Sequence, residues 1–354
     1  MTSIRQILRL SGMAALAVAA PAKLGKRDAL PDYALAYSPY SYIYSGEGWF
    51  PSDIAVHLNN TIPEIDFTAL AAAGSVTANT LGNYNSSVYL TSKDDVEDNP
   101  AWLSSDYGIP NGSGYSGAPG TIIAVQKNAT WVDVFYFHFY SYNHGGEVLG
   151  ITFDNHVGDW EHVMIRFIGG KPYAIYLSEH SAGSAYYWDV MTFTGSRPIT
   201  YIASGSHANY GKAGTQEYTI ALGLITDVTD AGYGWDISQN FRGYWYDTDS
   251  GEFTVASGAS TGGTEEDTET TSWLLWEGHW GDEQYSTSDS RQFCIFGECK
   301  YTSGPTGPVA KNLGRTAMCQ DENECTIFNS LDDLTIQSKR EEEPVTLPEE
   351  KGNR

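Results

Sequence analysis

Along most of the chain, apolar positions fall in short β-branched and aromatic runs separated by clusters of Gly, Asn, Asp and Ser. That punctuation predicts many short strands joined by turns. The best strand candidates are Trp131–Tyr142, Glu161–Ile168, Tyr173–His180, Trp188–Phe193 and Ile199–Ser204. One segment reads as a helix, Pro63–Ala73, with Pro63 in the first turn and Gly74 at the stop. The pattern predicts an all-β protein, a β-sandwich of many short antiparallel strands with one or two short helices. Aromatic residues at 13%, including 24 Tyr and 10 Trp, supply the bulk for such a core.

Three segments depart from this pattern. Residues 1–27 carry Arg5 and Arg9, then the apolar run MAALAVAA from Met13 to Ala20, then the dibasic pair Lys26-Arg27. The run is too short to span a bilayer, which takes about 20 apolar residues, and fits a signal peptide followed by a short propeptide. The mature chain is then expected to begin at Asp28. Residues 256–272, ASGASTGGTEEDTETTS, are of low complexity and read as a mobile insertion. Residues 331–354 read as a disordered acidic tail. Between these limits no linker or internal repeat divides the chain, so residues 28–330 are expected to form one domain.

Charge narrows the partners. Residues 1–27 hold five of the 20 basic residues and no acidic one, leaving 15 basic against 44 acidic groups, a net charge of −29. Such a chain repels nucleic acid at long range and gathers cations wherever its carboxylates converge. No later stretch is long and apolar enough to be a transmembrane helix. Sequons at Asn59, Asn85, Asn111 and Asn128 are candidate glycosylation sites on a secreted protein. The four cysteines, Cys294, Cys299, Cys319 and Cys325, allow three pairings. Gly297 offers a turn for a local 294–299 bridge beside 319–325; bridges joining the two segments and a zinc site are the alternatives.

Candidate chemistry concentrates in one third of the chain. Six of the eight histidines lie between residues 138 and 207. The densest piece is His156-Val-Gly-Asp159-Trp160-Glu161-His162. In a strand, alternate residues share a face, so Asp159 and Glu161 lie beside Val163, Ile165 and Phe167. Two carboxylates at the end of an apolar stripe need positive compensation. A divalent cation supplies it, and oxygen-rich ligands favour Mg²⁺ or Ca²⁺. His156 is the candidate third ligand; His162, on the opposite face, either supports the site from behind or packs. Glu179 and His207, each at a predicted strand end, are candidate acid–base groups should the protein be an enzyme. The bland reading is that the carboxylates cap turns and the histidines pack. No G-x-S-x-G elbow or phosphate-binding loop is present.

At these residues the chain resembles a known family. Pro51-Ser52-Asp53, Gly158-Asp-Trp-Glu-His162, Ser178-Glu-His-Ser181, Ser206-His-Ala-Asn-Tyr210 and Gly304-Pro-Thr-Gly-Pro308 together resemble the vacuolar protein sorting 62 family of fungi and plants, from about Tyr37 to about Lys311. More distantly, His156-Val-Gly-Asp159-Trp160-Glu161 is similar to the His-Arg-His-Asp-Trp-Glu core of the necrosis- and ethylene-inducing cytolysins. That resemblance implies a secreted β-sandwich that binds a divalent cation and sphingolipid, with His156, Asp159 and Glu161 at metal-associated positions and His207 beside them. Gly158 stands where the cytolysin motif has its second histidine, and Asn143 where it has a further aspartate.

Three functions are compatible with these features. The first is a secreted, cation-binding β-sandwich recognising a glycan, a glycolipid or another small ligand. The second is a metal-assisted hydrolase or accessory enzyme of a fungal secondary-metabolite pathway. The third is a trafficking protein of the secretory and vacuolar system, in which case the vacuole replaces the exterior as its location.

Overall fold

The computed structural model describes residues 29–180, 182–217, 226–260, 270–295, 297–322 and 325–333. The expected leader, the start at Asp28, most of the Gly-rich insertion and most of the acidic tail lie outside the described residues.

The protein is a β-sandwich. Its larger sheet has eight strands, in the order Glu252–Ser260, Phe241–Asp247, Gly120–Gln126, Trp131–Asn143, His156–Ile168, Lys171–Glu179, Ala182–Tyr187 and Ile327–Phe328. Most neighbours are antiparallel; Phe241–Asp247 runs parallel to Gly120–Gln126, and Ile327–Phe328 parallel to Ala182–Tyr187. A five-stranded sheet is built on Tyr40–Ile43, which pairs in parallel with Arg197–Ile202 and antiparallel with Tyr233–Asp236.

The two long central strands, Trp131–Asn143 and His156–Ile168, are paired along almost their full length. Both are buried on both faces, so they read as continuous apolar runs rather than alternating ones. On one face Phe135, Phe137, Phe139, Trp160 and Met164 pack with Trp273, Trp276 and Trp280. On the other, Val134, Tyr136, Val163, Ile165 and Phe167 form a second core. Further along that second face, Tyr140 packs against Ile43, Ile202 and Trp235 of the smaller sheet. The polar residues His138, Asp159 and Glu161 are thereby trapped between layers.

Two predicted elements are overturned. Pro63–Ala73 is not a helix: Thr61–Ile65 and Thr68–Ala69 are antiparallel strands. Asp66 and Phe67, at φ 50° and 56°, make the tight turn between them. Two successive left-handed residues suit a hairpin and break a helix. Trp188–Phe193 is not a strand either. Trp188–Val190 forms a 3₁₀ turn, and pairing resumes at Phe193–Thr194. There the Trp188 ring packs edge-on against Tyr37. The described residues contain three short α-helices, Asp32–Ala36, Ile54–Asn59 and Ala101–Ser104. Residues 256–260, expected in the mobile insertion, close the strand Glu252–Ser260. Among the described residues no helix is long and apolar enough to cross a membrane.

Both local disulfides form, Cys294–Cys299 and Cys319–Cys325. The first joins facing residues of a two-stranded hairpin that turns at Gly297, φ 87°. All four sequon asparagines are exposed. In three of them, Asn85, Asn111 and Asn128, the side-chain oxygen accepts a backbone N–H two residues on.

Candidate functional site

Strand register assembles the candidate site. Asp159 faces Tyr140 and Glu161 faces His138 across the central pair. Asp159 and Glu161 are only 5% and 3% exposed, so neither charge has water to spread into. His207 arrives from the loop after Arg197–Ile202, held at φ 58°. Its ring stacks flat on Tyr140 with centroids 3.6 Å apart. Nδ1 of His207 lies 2.9 Å from Asp159 Oδ2, and Nε2 lies 3.0 Å from the Trp49 carbonyl. Both acceptors lack hydrogens, so both ring nitrogens donate and His207 is an imidazolium. Burial opposes that charge, but the Asp159 hydrogen bond and then the Glu47 carboxylate raise its pKa. Burial likewise opposes the Asp159 charge; the hydrogen bond and charge of His207 outweigh it and hold Asp159 low.

Glu161 is the reverse case. Burial first, and the Asp159 charge second, push its carboxyl up to about 8. The Ser178 hydroxyl donates to Glu161 Oε2 and accepts the His162 backbone N–H. At neutral pH Asp159 and His207 are therefore an ion pair, and Glu161 holds a proton. Around them, the Tyr140 hydroxyl and both His138 ring nitrogens make no hydrogen bond.

A second His–Asp pair is tied to the same loop through Ser206. His180 Nε2 donates to Asp227 Oδ2 at 2.8 Å. Ser206, the neighbour of His207, donates to Asp227 Oδ1 at 2.7 Å, and the Tyr210 hydroxyl donates to Oδ2 at 2.6 Å. Burial opposes the His180 charge, yet the Asp227 carboxylate raises it to about 9. Glu179 sits by this pair rather than by Asp159. Burial pushes it up to about 7, against a hydrogen bond from Ser184, and His180 and Asp227 are its charged neighbours.

The predicted site residues are thus divided. Asp159, Glu161 and His207 come together; Glu179 belongs to the Asp227 group. His156 is half-buried and spends its Nδ1–H on the Gly158 carbonyl at 2.7 Å. His162 packs on the opposite face against Phe137 and Tyr176, as its position in the strand implied. His207 has no lone pair left to act as a general base. Among the described residues, no three His, Cys, Asp or Glu side chains form a ready metal-binding group.

Asn143 donates to the Asp154 carbonyl at 2.8 Å. Gly158 has a steric reason to be glycine. Its φ is 69°, and a Cβ there would lie 2.2 Å from the Trp280 carbonyl oxygen. No side chain fits.

Sequence reasoning missed Glu47 and Asp227. Glu47 accepts the backbone N–H groups of Gly48, Trp49 and Gly205, pinning the His207 loop to the Trp49 turn. Asp227 sits in Thr-Asp-Val-Thr, which looks like any solvent-facing strand. Only the long-range approach of His180 and Ser206 marks it.

Comparison with known proteins places this architecture. A profile described as vacuolar protein sorting-associated protein 62 matches residues 122–283. The putative vacuolar protein sorting-associated protein TDA6 of Saccharomyces cerevisiae is 33% identical over 343 residues, covering 85% of this chain and 70% of that protein. The vacuolar protein sorting-associated protein 62 of the same yeast is 30% identical, covering 84% and 69%. Among solved structures, necrosis and ethylene inducing protein 2 from the agent of cocoa's witches' broom disease aligns at 14% identity and TM-score 0.27, covering 54% of this chain and 72% of that one. NLPPya in complex with mannosamine aligns at 12% identity and TM-score 0.29, covering 66% and 80%. Superpositions this loose carry no argument about binding. The sequence matches extend over most of both yeast proteins and include the central strands that carry Asp159 and Glu161, so the chain belongs to the vacuolar protein sorting-associated protein 62 family.

Proposed function

We propose that this chain is a binding protein of the secretory route that recognises a glycan or lipid headgroup, with a divalent cation, Mg²⁺ or Ca²⁺, held at Asp159 and Glu161. One observation carries the cation. Two carboxylates on one strand face are almost wholly removed from water, and one of them stays neutral only by keeping a proton. A proton held in this way is exchangeable for a metal ion, because metal binding displaces protons from its ligands. Tyr140 is the third protein oxygen available, and His207 stays paired with Asp159 from the other side. Two disulfides support export, since such bonds persist in oxidising compartments and are rare in the cytosol. The vacuole lies on the same route and is the alternative destination.

The hydrolase reading gains nothing from His207, whose nitrogens both donate. Its remaining support is Glu179, with one oxygen buried and unpartnered. The test is direct. The purified mature protein is screened against glycan and lipid arrays, with and without chelator. Binding that chelator abolishes, and that folded Asp159→Asn lacks, supports the proposal; absence of any glycan or lipid binding by the folded protein refutes it. N-terminal sequencing checks the route: a start at Asp28 supports leader and dibasic processing, and retention of Met1 contradicts it.

A further inference from the structure

The hairpin of Thr61–Ile65 and Thr68–Ala69 leads into an apolar run. From Phe67 to Ala73 the sequence is Phe-Thr-Ala-Leu-Ala-Ala-Ala, without a charge. Phe67 is 54% exposed and Leu70 49%, and Ala69, Ala72 and Ala73 are exposed with them. The run is not a loose loop. Thr68 and Ala69 pair with Ile65 and Glu64, Leu70 donates its N–H to the Pro63 carbonyl, and Gly74 donates to that of Thr61. Single exposed apolar side chains are ordinary. A contiguous apolar patch on fixed backbone marks a surface that something covers.

The backbone brings the end of this run against a sequon, Asn59-Asn60-Thr61. Asn59, the last residue of the helix Ile54–Asn59, is exposed. Gly74 closes the run at φ 67°, and a Cβ there would lie 2.9 Å from the Asn59 carbonyl oxygen and 3.0 Å from its side-chain oxygen. The Asn59 amide therefore rests directly on the end of the run. No hydrogen bond engages that amide among the described residues, whereas Asn85, Asn111 and Asn128 each tie theirs to a backbone N–H. We propose that Asn59 carries an N-linked glycan whose first sugars lie along Phe67–Ala73 and keep that apolar run from contact with other molecules. The proposal rests on the reading of this chain as a protein of the secretory route.

Reach and chemistry both suit this cover. The four residues from Leu70 to Gly74 span at most about 14 Å, a distance of a few sugar units. A pyranose ring presents C–H groups on its faces and hydroxyls at its rim. Its faces can pack on the alanines, Leu70 and the Phe67 ring while the rim stays in water, so apolar surface is removed from solvent without stranding a polar group. The contact need not be strong in itself. Attachment at Asn59 supplies a high effective concentration, which makes weak packing sufficient.

Charge disfavours a bilayer as the occupant. The hairpin carries Glu64 and, at its turn, Asp66, on a chain with 44 acidic against 20 basic residues. An anionic membrane repels such a surface. A second copy of the chain would bring the same carboxylates face to face. A neutral, tethered glycan meets neither obstacle.

The experiment uses the full protein secreted from a yeast host. Glycopeptide mapping is expected to find Asn59 occupied. Asn59→Gln is expected to bind about twofold more of an apolar-surface dye than the wild type and to self-associate on size-exclusion chromatography. Adding Leu70→Ser and Phe67→Asn, whose amide side chain tolerates the left-handed backbone, is expected to restore wild-type behaviour. Asn85→Gln and Asn128→Gln are expected to match the wild type; Asn111, with exposed Ile109 and Tyr115 close by, is left unaltered. Should Asn59→Gln fail to be secreted, enzymatic removal of glycans from the folded wild type gives the same reading, a rise in dye binding that Phe67→Asn with Leu70→Ser removes. Glycans at other sequons with Asn59 bare, or a secreted Asn59→Gln that is monodisperse and binds dye as the wild type does, overturns the proposal and leaves the secretory reading standing. Glycan at no sequon overturns both. A glycosylated wild type that dimerises, or floats with phosphatidylcholine vesicles, and loses that property in Leu70→Ser also overturns the proposal, because the run is then open to a second copy or a bilayer.

Discussion

Replacing Glu161 by Gln tests the electrostatics of the site without disturbing its shape. The amide oxygen can still accept from Ser178, and no charge remains to be buried. In the wild type, burial and Asp159 place the Glu161 carboxyl at about 8 when folded, against about 4.3 in an unfolded chain. A carboxyl with a raised folded value binds its proton more tightly in the native state. Its contribution is therefore fully present below the unfolded value and is lost as pH rises through the folded value. A tenfold difference in proton affinity is worth about 1.4 kcal/mol. Between pH 4 and pH 7 the metal-free wild type should lose roughly 3–4 kcal/mol relative to Glu161→Gln, with the loss levelling off above about pH 8. At about 2–4 °C per kcal/mol for a chain of this size, the melting temperatures should diverge by roughly 10 °C. The assay is thermal denaturation of both proteins from pH 4 to 9 in chelator. The difference isolates Glu161, because Glu179 and His180 titrate in both proteins. Parallel melting curves across that range would refute the reasoning, and would mean that Glu161 is hydrated or paired with a cation that chelator does not remove.

Other consequences follow from individual contacts. The imidazolium of His180 is held up to about 9 by Asp227, so its stabilisation is complete below about 6.5 and lost as pH rises through 9. His180→Asn, which tolerates the left-handed backbone, should lower the melting temperature at pH 6 and do so much less at pH 10. Arg166 donates twice to the fully buried Asp133, with both distances at 2.8 Å. Asp133→Asn strands a buried guanidinium and should cost about 3–5 kcal/mol, read by urea denaturation. Gly158→Ala forces a side chain into the Trp280 carbonyl and should destabilise by well over about 1 kcal/mol; a melting temperature within about 1 °C of wild type would contradict the steric account. Each disulfide closes a short loop worth about 2 kcal/mol. Peptide mapping should recover only the 294–299 and 319–325 pairs.

The sheet framework was legible because its signal is local. Trp131–Tyr142 is so dense in aromatic and β-branched residues that only a strand buried on both faces accommodates it. The Asp159–Glu161 face was equally readable, since alternation fixes it whatever the fold. Pro63–Ala73 misled because Pro63 and Gly74 bracket an apolar segment as helix ends do. The deciding feature, two successive left-handed residues at Asp66 and Phe67, includes a Phe, a bulky type that rarely adopts that conformation. Partners were less legible than faces. His207 lies 48 residues from Asp159, and His180 lies 47 from Asp227. Such pairings depend on which loop crosses which strand end, and no spacing rule encodes that.

The claim that the carboxylate pair holds a divalent cation is tested most directly by metal titration of the chelator-stripped protein, with Asp159→Asn and the surface control Asp249→Asn beside it. If the account is right, Mg²⁺ or Ca²⁺ binds the wild type with about one site, releases protons near neutral pH, and raises the melting temperature by mass action, about 2.7 kcal/mol at a hundredfold excess over Kd. Asp249→Asn should behave as the wild type, and Asp159→Asn should lose all three responses. A wild type that neither binds nor is stabilised by either ion, at concentrations up to millimolar, would contradict it and leave Glu161 as a carboxyl kept neutral by its proton alone.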